Sequence, residues 1–141
     1  MKKAKVSLSQ AREEVESWLD YKKIRDSQRE ENQDNIEALV EWISEGVLSY
    51  DQSSGVFTHR LQFPLKNDGE GGGNFLEELT YKPRIRVKDT KPHMKGVKSS
   101  DADGRVMAYL SAITNQNRSI LENLDYSDYS IATNIVVFFV Q

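Results

Sequence analysis

The sequence predicts an α+β fold: N-terminal helices, then a small antiparallel β-sheet made of a hairpin plus a further strand, then C-terminal helices. Three observations carry this expectation. Apolar residues recur at helical spacing through the first third, alternate in strand-length runs at 56–63 and from Phe75 on, and return to helical spacing beyond residue 101. The organisation that follows is an N-terminal helical region, 1–46, and an α+β domain, 47–141.

Ser9 to Asp26 reads as the first helix, with Val15, Trp18, Leu19 and Lys22 at i, i+3, i+4 and i+7 and neither glycine nor proline between them. Gln28–Asp34 is too polar for burial and breaks or exposes that helix. A second helix follows, with Asp34 as N-cap, Ile36, Leu39, Val40 and Ile43 on one face, Trp42 just off it, and Gly46 at the C′ position. Val47–Tyr50 and Val56–Phe63 then form a hairpin around the loop 51–55, with Phe57, His59, Leu61 and Phe63 on one face and Pro64 ending the strand. Lys66–Asn74 is a glycine-rich flexible loop. Phe75–Val87 alternates again, and Pro83 marks it as an edge strand or a break.

Thr90–Ser100 has no periodicity and reads as an exposed loop. Beyond it, Asp101 or Asp103 caps a helix with Val106, Tyr109, Leu110 and Ile113 on its core face, and Asn115–Asn117 ends it. Ser119 opens a short turn carrying Ile120, Leu121 and Leu124. Asp125 or Ser127 caps the last helix, with Tyr129, Ala132, Val136 and Phe139 in register. The β-branched and aromatic run 135–140 makes a strand the competing reading, with helix favoured.

Composition narrows the function classes. The chain has 141 residues and no cysteine, which excludes a disulfide framework, thiolate zinc sites and thiol catalysis, and fits a reducing cytoplasm. No apolar run approaches the length of a membrane span, and the basic start Met1–Val6 lacks the apolar segment a signal peptide needs. Net charge is −3, unevenly spread: residues 82–98 hold Lys82, Arg84, Arg86, Lys88, Lys91, Lys95 and Lys98 against Asp89 alone.

Catalytic and metal-binding patterns are weak, so the sequence predicts no enzyme, no cofactor and no metal site. His59 reads as a packed strand histidine and His93 as a solvated one, and no nucleophile has a distinguishing neighbourhood. Asp101-Ala-Asp103-Gly104 starts like a calcium loop, but the position of the bidentate glutamate is Ala112, so a helix cap is the better reading. Gly69–Gly73 lacks the lysine and the helix that a phosphate loop requires. In the basic tract, Arg84, Arg86 and Lys88 alternate and would project from one face of a strand. The tract reads as a solubilising loop, as a face for an acidic protein surface, or as a phosphate-binding segment. Only Tyr81 offers a stacking ring nearby.

The order of short motifs from residue 57 onward is similar to one family. Leu61-Gln-Phe-Pro64 is followed by a glycine-bearing loop, then by Leu76-Glu-Glu-Leu-Thr80 with Lys82-Pro-Arg84. Ala108–Thr114 and the step Leu124-Asp125-Tyr-Ser-Asp128 come next, and Phe138 or Phe139 takes a late aromatic position. This resembles the tail assembly chaperones of Mu-like and P2-like contractile-tailed bacteriophages. The helical region 1–50 has no counterpart in that family, and Gly69–Gly73 is a longer loop than the family's.

The resemblance implies a small protein of the host-cell cytoplasm that acts during tail morphogenesis and binds the tape measure protein, a long helical chain. Contact residues expected on this reading are Arg84, Arg86, Lys88, Leu124, Tyr126, Tyr129 and Phe138, with Trp18 and Trp42 as further aromatic anchors. The expected partner is a protein rather than a membrane. The alternative is a nucleic-acid-binding or regulatory protein acting through residues 82–98.

Overall fold

A computed structural model describes residues 6–66 and 74–140 of the chain; the glycine-rich segment Gly69–Gly73 and the basic start at residues 1–5 lie outside the described residues. The fold is α+β, with N-terminal helices, a three-stranded antiparallel sheet of order β1-β2-β3, and C-terminal helices. The chain divides into two compact units. One runs up to Leu61 and includes Glu78–Pro83; the other comprises Gln62–Glu77 and Arg84–Val140.

In the first unit, α1 (Leu8–Tyr21) starts at Ser7, whose side chain accepts the Gln10 N–H. It stops short of the expected Asp26. Lys23 adopts a left-handed φ of 59°, its N–H reaches the Asp20 carbonyl, and the Ile24 N–H reaches the Leu19 carbonyl. That is a Schellman end built on lysine instead of glycine, closed by burying Ile24. Lys22, expected in the apolar stripe, instead caps the helix, lies 5.7 Å from the centroid of the Trp18 ring and donates to the Pro83 carbonyl.

The polar stretch that follows is helical: α2 (Asp26–Glu31) buries none of its residues. The next helix, α3 (Gln33–Ser44), starts after Asn32, so Asp34 sits in the first turn and does not cap it. Asn32 also ends α2, its side-chain amide donating to the Gln28 carbonyl, which leaves no gap in which Asp34 could act as a cap. The far end of α3 follows the sequence reading. Gly46, at φ 83°, closes a Schellman motif through Gly46 N–H to Ile43 and Val47 N–H to Trp42.

Ala11, Val15, Trp18 and Leu19 of α1 and Ile36, Leu39, Val40 and Ile43 of α3 form the apolar centre of this unit. They meet β1 (Leu48–Asp51) and β2 (Val56–Lys66), paired antiparallel with Leu48 opposite His59 and Asp51 opposite Val56. Trp18 stands edge-on to Phe57 with ring centroids 4.7 Å apart, a geometry that adds to the area both rings bury. His59 and Tyr81, the last residue of β3 (Asn74–Tyr81), are both buried, and the His59 Nδ1 lies 2.9 Å from the Tyr81 hydroxyl. The hairpin loop is held by the Asp51 carboxylate, which accepts from the Ser53 N–H and from both serine hydroxyls. Gly55 closes it at φ 74°.

In the second unit, β2 continues through Pro64, where the sequence reading ended it, to Lys66. β1 covers β2 only as far as His59, so beyond that point one edge of β2 has no ladder for a proline to interrupt. The basic residues Arg84, Arg86 and Lys88 are not on a strand. β3 ends at Tyr81 before Pro83, and Val87, read as the end of that strand, opens α4 (Val87–Thr90). The segment read as an exposed loop begins with a 3₁₀ turn, Lys91–His93, and carries no helix or strand from residue 94 to 100. Thr90 is buried and so anchors the segment, while its hydroxyl donates back to the Val87 carbonyl of the same turn.

Asp101 caps α5 (Ala102–Thr114) by accepting the Gly104 N–H, and Asn115 ends it at φ 57°. Its buried face is Ala108, Leu110, Ser111, Ala112, Ile113 and Thr114, while Val106 and Tyr109 are half-buried. α6 (Arg118–Leu121) and α7 (Tyr126–Val136) follow, the latter extended by a 3₁₀ turn, Val137–Phe139, so the run 135–140 is not a strand. The buried residues of α7 are Asp128, Ile131, Ala132, Ile135 and Val136. Tyr129 and Phe139, expected inside, are half-buried.

A Cβ at Gly55 would come within 3.1 Å of Pro83 and of the Tyr21 ring, on backbone that side chains rarely adopt. Gly55→Ala is expected to cost more than about 1 kcal/mol of unfolding free energy, read as a lower urea midpoint at unchanged slope.

Candidate protein-binding surface

Of the residues expected to contact a partner, the structure exposes some and hides others. Tyr126 is 81% exposed, whereas Phe138 is 2% exposed and belongs to the core. Leu124 and Tyr129 are half-buried. The Tyr129 ring meets that of Tyr126 edge-on at 6.0 Å, and burial, with Asp103 and Tyr126 as smaller contributors, raises the Tyr129 phenol above the ordinary tyrosine range. Trp18 is core and Trp42 is half-buried. Arg84, Arg86 and Lys88 are exposed.

A cleft that sequence reasoning did not find lies in the second unit. Phe63, Pro64, Leu65 and Lys66 from β2, Phe75 from β3, and Ile120, Asn123 and Asp125 around the α6–α7 connection line a volume of 580 Å³. Phe63 and Phe75 are 57% and 50% exposed, high values for phenylalanine on a sheet.

The cleft owes its apolar wall to a change of phase in β2. Phe57, His59 and Leu61 point inward, as their alternation predicts, and Phe63 should follow them. Instead the Asp128 carboxylate accepts from the Gln62 N–H through one oxygen at 2.9 Å and from the Phe63 N–H through the other at 3.0 Å. Consecutive amides of a flat strand point to opposite edges, so two on one carboxylate require a bulge-like kink. Past that kink Phe63 faces outward. Asp128 itself is fully buried, in the first turn of α7, where the helix dipole also favours a negative charge.

Asp125 caps the same helix. Its carboxylate accepts from the Ser127 N–H at 3.0 Å and the Ser127 hydroxyl at 2.7 Å, and Asp125 also lines the cleft. Thus Leu61–Pro64 and Leu124–Asp128, distant in sequence, are joined at one site. The signal that could have found it was the second aspartate of that step, since a carboxylate at the third helical position has backbone donors as its natural partners.

His93 is not simply solvated. Its Nδ1 is 2.9 Å from the buried Ser111 hydroxyl, which also donates to the Gln116 carbonyl. The contact joins the segment bearing His93 to α5. Among the described residues, no group of three or more His, Asp or Glu side chains is placed to hold a metal ion, and no helix is long and apolar enough to cross a membrane.

No family model matches the chain, and no curated protein or solved structure matches it either.

Asp128→Ala should cost about 2 kcal/mol, because it removes a buried carboxylate that accepts two part-buried amide N–H groups. Asp128→Asn keeps one acceptor and should cost about half as much. Urea unfolding measures both, and equal midpoints for Asp128→Ala and the parent chain would show that the carboxylate contributes nothing.

Proposed function

We propose that the chain is a non-enzymatic assembly chaperone of the phage-tail type, which binds the tape measure protein in the host-cell cytoplasm while the tail is built. One observation carries the reading: the half-exposed Phe63 and Phe75 in the 580 Å³ cleft. A chaperone for a long helical client needs apolar side chains held open to solvent to cover the client's apolar stripe, and a charged exterior to keep the pair dissolved. The cleft has the first property, with Pro64, Leu65 and Ile120 completing its apolar lining. The chain's 29% of charged residues gives the second.

Two motifs behind the family resemblance meet at this cleft. Leu61-Gln-Phe-Pro64 contributes Phe63 and Pro64, and Leu124-Asp125-Tyr-Ser-Asp128 contributes Asp125 to the lining and Asp128 to the kink. Exposed Tyr126 follows Asp125 directly, and aromatic side chains are the commonest anchors of protein interfaces. The contact set of this proposal is therefore Phe63, Phe75, Ile120 and Tyr126, with Phe138 reassigned to the core.

The test is co-expression with the tape measure protein of a contractile-tailed phage and measurement of how much client stays soluble. Phe63→Ser with Phe75→Ser should weaken binding at least about tenfold and leave the melting temperature within about 2 °C, since both side chains are substantially exposed. A client equally soluble without the chain, or one bound equally well by the double variant, would overturn the proposal.

A further inference from the structure

Six cations, Arg84, Arg86, Lys88, Lys91, Lys95 and Lys98, lie on the segment 84–98, and every one is exposed. None forms an ion pair among the described residues. The carboxylate inside the strip, Asp89, faces inward to the segment's own backbone, accepting the Arg86 N–H at 2.8 Å. Unlike charges scattered on a flexible loop, these sit on a segment shaped by α4 and the 3₁₀ turn and tied down by the burial of Thr90 and by the His93–Ser111 contact. The strip is an ordered cationic surface whose one carboxylate, Asp89, is turned to the segment's own backbone.

A nucleic acid fits it poorly. The α-helix in the strip, Val87–Thr90, is a single turn of about 6 Å and cannot lie along a groove. Residues 84–98 contain no Phe, Tyr or Trp on which bases could stack. The chain as a whole is net negative, which works against approach to a polyanion. Carboxylates on a protein surface suit it better.

This chain carries such a surface. Asp26, Glu30 and Glu31 of α2 and Asp34 at the start of α3 are exposed and form no ion pair among the described residues. The cation within α2, Arg29, is already held by Glu16 and Asp20, which leaves Arg25 as the nearest unpaired positive charge. α2 buries none of its residues, so its surface is available to a partner. We propose that the cationic strip of one molecule docks on the acidic α2–α3 segment of a second copy of this chain. Opposite charges on two rigid segments favour rapid, salt-sensitive association, and a contact between two different patches either closes reciprocally into a dimer or adds further copies.

Sedimentation velocity over a concentration series, at about 0.05 M and about 0.5 M salt, tests this. The expected result is mass that rises with concentration at low salt and collapses to the monomer at high salt. Arg84→Glu, Lys88→Glu and Lys91→Glu together should weaken association at least about tenfold, as should Glu30→Lys with Glu31→Lys. All five side chains are exposed, and unchanged circular dichroism checks that both variants fold. Mixing the two variants should restore association, because the reversed strip of one then meets the reversed helix of the other. A monomer at every concentration in low salt would overturn the proposal. So would association that survives either reversal, a mixture that stays monomeric, or a strip whose reversal abolishes only oligonucleotide binding.

Discussion

The second unit is organised around one buried charge. Asp128 has no exposed surface, and its two oxygens take the N–H groups of Gln62 and Phe63. Removing a carboxylate from water costs several kcal/mol, so the charge is tolerable only with strong donors and a favourable field. Two backbone amides and the N-terminal end of α7 supply both. In return the carboxylate dictates the backbone. β2 must kink where it serves two consecutive amides, and that kink turns Phe63 out of the inward row set by Phe57, His59 and Leu61. The cleft is a consequence of the latch.

This explains why Asp125 and Asp128 stand three residues apart. A carboxylate at the third helical position commonly turns back to the N–H of its own cap, a purely local use. Here Asp125 caps the start of α7 through Ser127, and the Asp128 carboxylate reaches across to another element. One aspartate starts the helix and the other fixes it to the strand. Exchanging Asp128 for glutamate would add a methylene between helix and strand, in a space that two hydrogen bonds of 2.9 and 3.0 Å already define.

Local chemistry made much of the fold legible in the sequence. Gly46 ends α3, Asp101 and Asp125 cap their helices, Asn115 stops α5 in the left-handed region, and Phe57, His59 and Leu61 alternate into the core, each for a reason contained in a few neighbouring residues. What the sequence hid depends on distant partners. Lys23 takes a conformation usually left to glycine because Ile24 gains burial by it. Pro64 stays in a strand because β1 has already ended. The inward face of α7 is rotated from the expected one because Asp128 counts as a surface residue in any hydropathy pattern, yet occupies a core position. The same substitution of a polar group for an apolar one hid the cleft, since alternation alone puts Phe63 inside. The basic tract was visible as composition, but its ordering into helical turns was not, because Thr90 and the His93–Ser111 contact anchor it without any periodic signal.

The two surfaces of the second unit obey different physics, and that separates their roles. The cleft offers apolar side chains, whose affinity for a partner's apolar stripe is held or strengthened by salts excluded from the protein surface. The strip offers exposed charges, whose attraction is screened once the Debye length falls to a few ångströms. A client held by Phe63 and Phe75 would therefore remain bound under conditions that disperse copies joined through Arg84–Lys98. Reversing charges on the strip leaves the cleft's lining untouched, except where a client adds carboxylates of its own. Substituting Phe63 and Phe75 leaves every cation in place. On the two proposals, self-association and client binding can be lost independently, which a single mixed surface would not allow.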